Sequence, residues 1–281
     1  MPGTRAPGPA TPPEMTPDAA VAVAAAQAGA AVVAARYGTA LEHIQKAPMD
    51  FATDADVAAE QAILAVLRAA RPGDGCQGEE LGESAAGTSG RTWLIDPLCG
   101  TANFAVTTPL AAVNVALCAG DRVLAAASAD PLAGEVFWTG GAGAWLRRGD
   151  GDEPLAPSAA SRLADVNLDP PYPNADRFRA VAMLAEPAFA ASFRPRVLST
   201  TLALAWVAAG RRAAYVTDGH LRGSVHFTAG IALCQAAGCA VTGLDGQPVH
   251  AGAGGLVAAA DERTHAALLE IIAGLSAGQK R

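Results

Sequence analysis

Near residue 110 the hydrophobic pattern of this 281-residue chain changes period, and the change narrows the folds open to it. Between Leu110 and Cys118, Val113, Val115 and Leu117 alternate with Asn114 and Ala116, the two-residue repeat of a strand. The segments 121–130, 134–140 and 143–149 follow at short intervals, divided by Gly and Asp-Pro turns. Connections of that length cannot hold crossovers, so the pattern predicts an antiparallel meander.

Helical signals flank this block. Thr16-Pro17-Asp18 places an N-cap threonine before a proline at the first helical position, and the predicted helix runs on into Glu42–Lys46. Ala59, Ile63, Val66 and Ala70 mark a second helix, ended by Pro72-Gly73. After a polar, Pro-rich stretch at 150–178, helices are expected in 177–186, 201–211 and 228–238. Strands are expected in 213–218 and 239–248. The order implies layered sheets and helices. It divides the chain into a Pro-rich disordered tail (1–15), an N-terminal α+β half (16–160) and a C-terminal α/β half (161–281).

Composition removes several classes of function. With 51% apolar and 17% charged residues the chain is globular rather than disordered, and a net charge of −7 gives no basic face for nucleic acid and no polybasic patch for anionic lipid. The Ala-rich stretch 19–37 reads as a buried or interface helix, so no membrane partner is expected. Five cysteines, an odd number without a CxxC pair, point to a reduced, cytoplasmic protein.

Four short segments carry chemistry: "DFATDAD" (50–56), "GEELGES" (78–84), "WLIDPLCGTANF" (93–104) and "GSVHFTAG" (223–230). Together they resemble the inositol monophosphatase family, within the wider group that includes fructose-1,6-bisphosphatase. Thr53-Asp54 matches its N-terminal acidic motif and Gly78-Glu79-Glu80 its Gly-Glu-Glu motif. Trp93–Phe104 matches its Trp-x-x-Asp-Pro-[Ile/Leu]-Asp-Gly-Thr-x-Asn-Phe signature everywhere except Cys99. The resemblance implies a layered α-β-α-β-α sandwich, a homodimer, and hydrolysis of small phosphate monoesters with two or three Mg²⁺ ions. Carried over, it makes Glu79, Asp96 and the Leu98 carbonyl metal ligands if a metal is retained. Gly100 and Thr101 become the phosphate-binding and water-positioning pair, with Ser199, Thr200, Asp218 and His220 near the substrate.

Two family carboxylates are missing. Cys99 replaces the second Asp of the signature, and His226, counted back from Ala229-Gly230, replaces the Asp of the C-terminal motif. A thiol and an imidazole suit Mg²⁺ poorly and favour Zn²⁺ or a similar ion. A Cys before a helix N-terminus and beside an imidazole is also expected to have a pKa below the usual ~8.5. The leading expectation is therefore an enzyme turned to rearrangement, cyclisation, isomerisation or hydrolysis of a small anionic metabolite. In it Cys99 and His226 act with Asp96, Glu79 and Thr101, and no cofactor is required. The alternatives are a phosphomonoesterase for a sugar or inositol phosphate with residual Mg²⁺ or Zn²⁺, and a non-catalytic small-molecule binder.

Overall fold

The computed structural model describes residues 15–47, 50–83, 87–168, 180–219, 221–251 and 254–278. The chain opens with α1 (Pro17–Arg36), where the Thr16 hydroxyl accepts the Ala19 N–H and Pro17 occupies the first turn. The helix does not continue into Glu42–Lys46 as predicted. Gly38 adopts φ +74°, a left-handed conformation that costs glycine little. Residues 43–47 then form β1 (His43–Ala47), paired antiparallel with β2 (Asp50–Thr53). By length and composition α1 is the one described helix that could cross a membrane. Here its Ala19, Ala22, Val23, Ala26 and Val33 are buried in the core.

Next come α2 (Asp54–Ala70), β3 (Gly75–Gly78), β4 (Thr92–Cys99) and the short α3 (Thr101–Ala105). The predicted meander follows as β5 (Ala112–Ala119), β6 (Arg122–Asp130), β7 (Glu135–Thr139), β8 (Ala144–Arg148) and β9 (Gly151–Pro154). Strands β3 to β9 form one seven-stranded sheet in sequential order. Every pairing in it is antiparallel except β3 with β4.

The remaining elements are β10 (Leu163–Val166), α4 (Ala180–Leu184), α5 (Pro187–Ser192), β11 (Arg194–Val197), α6 (Leu202–Ala208), β12 (Ala214–Thr217), α7 (Thr228–Ala237), β13 (Ala240–Thr242), β14 (Leu256–Ala259) and α8 (Glu262–Gly278). A five-stranded mixed sheet runs in the order β11-β10-β12-β14-β13. The predicted tail at 1–15 falls almost wholly outside the described residues.

Strand alternation builds the layers. On β7, Val136 and Trp138 face α1 and α2, while Phe137 faces α6 and α7. On β12, Tyr215 joins the α6–α7 layer, while Ala214 and Val216 pack with α4, α5 and α8. The result is the expected α-β-α-β-α sandwich, with α6 and α7 as the shared middle layer.

Candidate active site

The signature strand carries the first residues into place. β4 pairs with β5 with Asp96 opposite Asn114, and the register shifts between Asp96 and Cys99, across Pro97, which has no N–H to give the ladder. At Gly100, φ is +99° and an added Cβ would meet the Leu110 carbonyl oxygen at 2.6 Å, so only glycine fits the turn. Thr101 then opens α3.

Parallel pairing of β3 with β4 sets Gly78 beside Ile95, and the Glu79 N–H donates to the Ile95 carbonyl. This brings Glu79 next to Asp96. Buried Glu60 of α2 holds the same turn, accepting the Glu80 N–H (2.8 Å) and the Leu81 N–H (3.0 Å). Its carboxylate lies so near Gly78 that a Cβ there would stand 1.9 Å from Oε1. The glycine of Gly-Glu-Glu is thus a steric requirement.

Asp96, Cys99 and His226 converge. Each offers one ligand-type atom, and the three atoms lie within 4.8 Å of one another. His226 Nδ1 is 2.9 Å from Asp96 Oδ2 and 3.8 Å from Glu79 Oε2. The Thr201 N–H donates to Cys99 Sγ (3.3 Å). Asn114 Nδ2 donates to Asp96 Oδ2 (3.3 Å) and to Thr201 Oγ1 (2.8 Å), linking strand, signature and α6. Asp96 is fully buried and its Oδ1 has no hydrogen-bond partner among the described residues.

The electrostatics correct the expectation of an activated thiol. Burial pushes the Cys99 thiol above its usual range and the Asp96 charge adds to this, outweighing hydrogen bonds from His226 and Thr201. The five-residue α3 does not reverse that. Burial would lower the His226 pKa, but the charge of Asp96, hydrogen bonds to Asp96 and Cys99, and Glu79 push it up to about 12. An imidazole that stays protonated cannot take a proton from the thiol. Glu79 is raised to about 8 by burial and by the Asp96 charge.

Three partners escaped the sequence reading. Thr101 Oγ1 lies 2.9 Å from Asp56 Oδ1 and 3.0 Å from the Leu98 carbonyl oxygen, so Asp56 is the acid of the N-terminal motif that reaches the site. Asp54 instead pairs with Arg36 and accepts the Glu42 N–H. The available signal was Thr53-x-x-Asp56, a capping box in which the Thr53 N–H donates to Asp56 Oδ2 (2.8 Å). Lys46, assigned to a helix from sequence, sits on β1 and bridges Glu79 Oε1 (3.0 Å) and Glu80 Oε1 (2.6 Å). Asn114 read only as a polar residue in a strand.

Among the expected substrate residues, the Ser199 carbonyl accepts from Asn103 Nδ2 (2.8 Å), and Thr200 is buried beside Thr201. Asp218 is buried at the end of β12, where it accepts the Ala180 N–H (3.4 Å). His220 lies outside the described residues. A cavity of about 520 Å³ lies apart from these groups, between Arg122, Thr228, Gln235 and His250.

Residues 14–276 match the inositol monophosphatase family. This chain belongs to that family. An inositol-1-monophosphatase of Caulobacter vibrioides is 33% identical over 256 residues, covering 88% of this chain and 98% of the relative. The solved structure of the extragenic suppressor protein suhB from Bartonella henselae superimposes with a TM-score of 0.79 at 27% identity, covering 90% of this chain and 97% of that one. An inositol monophosphatase from Anabaena shares the fold, with a TM-score of 0.74 at 23% identity over 92% of this chain and 95% of that one. Membership overturns the expectation that no cofactor is needed, because the family depends on Mg²⁺. It also favours phosphomonoester hydrolysis over rearrangement, cyclisation or isomerisation.

The donor set accepts one cation better than a pair. Glu79, Asp96 and the Leu98 carbonyl supply oxygen, and the buried, unpartnered Asp96 Oδ1 is an acceptor that a cation would satisfy. The carboxylates that would complete a second Mg²⁺ site are a thiol and an imidazole here, and the paired arrangement does not fit.

Proposed function

We propose that this chain is a phosphomonoesterase for a small sugar or inositol phosphate, working with a single divalent cation. The observation that carries this reading is the intact Asp56–Thr101–Leu98 hydrogen-bond chain beside Glu79 and Asp96, in a chain whose full-length relatives bear the name inositol-1-monophosphatase. A cation held by Glu79, Asp96 and the Leu98 carbonyl would polarise a phosphate oxygen.

The protein's own groups do the rest. Thr101 has one hydroxyl proton and two acceptors within reach, so its oxygen can orient a water while Asp56 takes up charge behind it. Burial raises the Asp56 pKa, the direction that makes a carboxylate a stronger base. Lys46 offsets the negative charge that Glu79 and Asp96 bring to an approaching phosphate. Five free cysteines agree with a cytoplasmic setting, and a homodimer is part of the same reading.

Phosphate release from a panel of inositol and sugar phosphates with Mg²⁺, Mn²⁺ or Zn²⁺ tests the proposal. Activity on at least one ester that is lost in Thr101→Ala is expected. No release with any of the three cations would overturn it.

A further inference from the structure

We infer that Asp96, Cys99 and His226 form a binding site for one soft divalent cation of the zinc class. This rests on the single-cation reading above but moves the ion from the Glu79 and Leu98 oxygens to the soft donors, with Asp96 as the shared ligand.

The donors point that way. Mg²⁺ requires a near-octahedral shell of oxygens, whereas one thiolate, one imidazole nitrogen and one carboxylate oxygen form a mixed set that selects Zn²⁺. Their atoms already lie within 4.8 Å of one another, so small rotations would bring them to a common ion. A second observation points to a ligand independently. Asp96 Oδ1 is completely buried without a hydrogen-bond partner among the described residues, and a buried carboxylate oxygen in that state is costly unless something positive meets it.

The surroundings resemble those of metal centres. Asp96 Oδ2 lies 2.9 Å from His226 Nδ1, so two of the donors that would share the ion are already in contact. The Thr201 N–H aimed at Cys99 Sγ would steady a thiolate, and Asn114 holds Asp96 from behind. Three protein donors follow the catalytic rather than the structural pattern, and the His226 side chain is 21% exposed. Binding releases the Cys99 thiol proton and one proton of the His226 imidazolium, so affinity rises with pH.

The probe is Co²⁺ added to full-length protein stripped of metal. A near-ultraviolet thiolate-to-Co²⁺ charge-transfer band is expected, displaced by stoichiometric Zn²⁺ but not by excess Mg²⁺. It should vanish in Cys99→Ser and in His226→Gln, and persist in Cys118→Ser and Cys239→Ser, each shown folded by circular dichroism. Asn114→Leu, at a positioning residue, should weaken Zn²⁺ binding roughly 10- to 100-fold. Absence of the band in wild type, or its survival in Cys99→Ser, overturns the site. If Cys99→Ser does not fold, survival in folded His226→Gln has the same force. Phosphate release with Mg²⁺ from a protein lacking the band would sink the zinc site alone. A band without phosphate release would sink the phosphomonoesterase reading alone.

Discussion

Thr101 Oγ1 stands 2.9 Å from Asp56 Oδ1, joining the first residue of α3 to the first turn of α2 across 45 positions of sequence. Asp56→Asn keeps the shape and an acceptor but removes the basic carboxylate. It should lower kcat roughly 10²- to 10⁴-fold with little change in KM. Because Asp56 also closes the capping box, about 1 kcal/mol of stability should go with it. Steady-state kinetics and urea unfolding of the same preparation separate the two effects. An unchanged kcat would remove Asp56 from the chemistry.

Gly78→Ala should cost about 1–3 kcal/mol, because its Cβ would overlap the buried Glu60 carboxylate that holds the Glu79–Leu81 turn. The urea midpoint reports it. Adding Glu60→Ala should recover part of the loss, a coupling that an independent pair of sites would not show.

Stability should depend on pH through Asp165, which is fully buried against Arg212. Burial pushes its pKa up to about 6, against the opposing charge and hydrogen bonds of Arg212. The unfolded chain gives up this proton near ~3.9. The folded state therefore binds more protons between roughly pH 4 and 6, and stability falls as pH rises through that window. The full effect is on the order of 2–3 kcal/mol. Urea unfolding of Asp165→Asn across the same window should give a flatter profile than wild type. Parallel profiles would mean that the shift is absent.

Restoring the two family carboxylates tests the alignment itself. In the double variant Cys99→Asp, His226→Asp, four carboxylates surround the site and the soft donors are gone. Mg²⁺-dependent phosphate release should rise above wild type, and Zn²⁺ binding should fall. A double variant that folds and gains no Mg²⁺ dependence would count against these two positions as the lost ligands.

The sequence by itself determined the layered fold and most of its elements. Alternation on β5 to β8 and the 3.6-residue period of α2 are local patterns, and the Gly-Glu-Glu motif and the signature name Glu79, Asp96 and Thr101 without any coordinates. Only the tertiary structure decided the state of the site. The helix signal at Thr16 gave no stop at Arg36, because a hairpin is specified by its partner strand, and Lys46 reaches Glu79 only from that hairpin. A cysteine before a helix reads as an activated thiol until burial and Asp96 are placed around it, since desolvation and neighbouring charge are properties of three-dimensional surroundings. His226 lies 130 residues from Asp96 along the chain, and only packing of α7 against the seven-stranded sheet sets its ring 2.9 Å from that carboxylate.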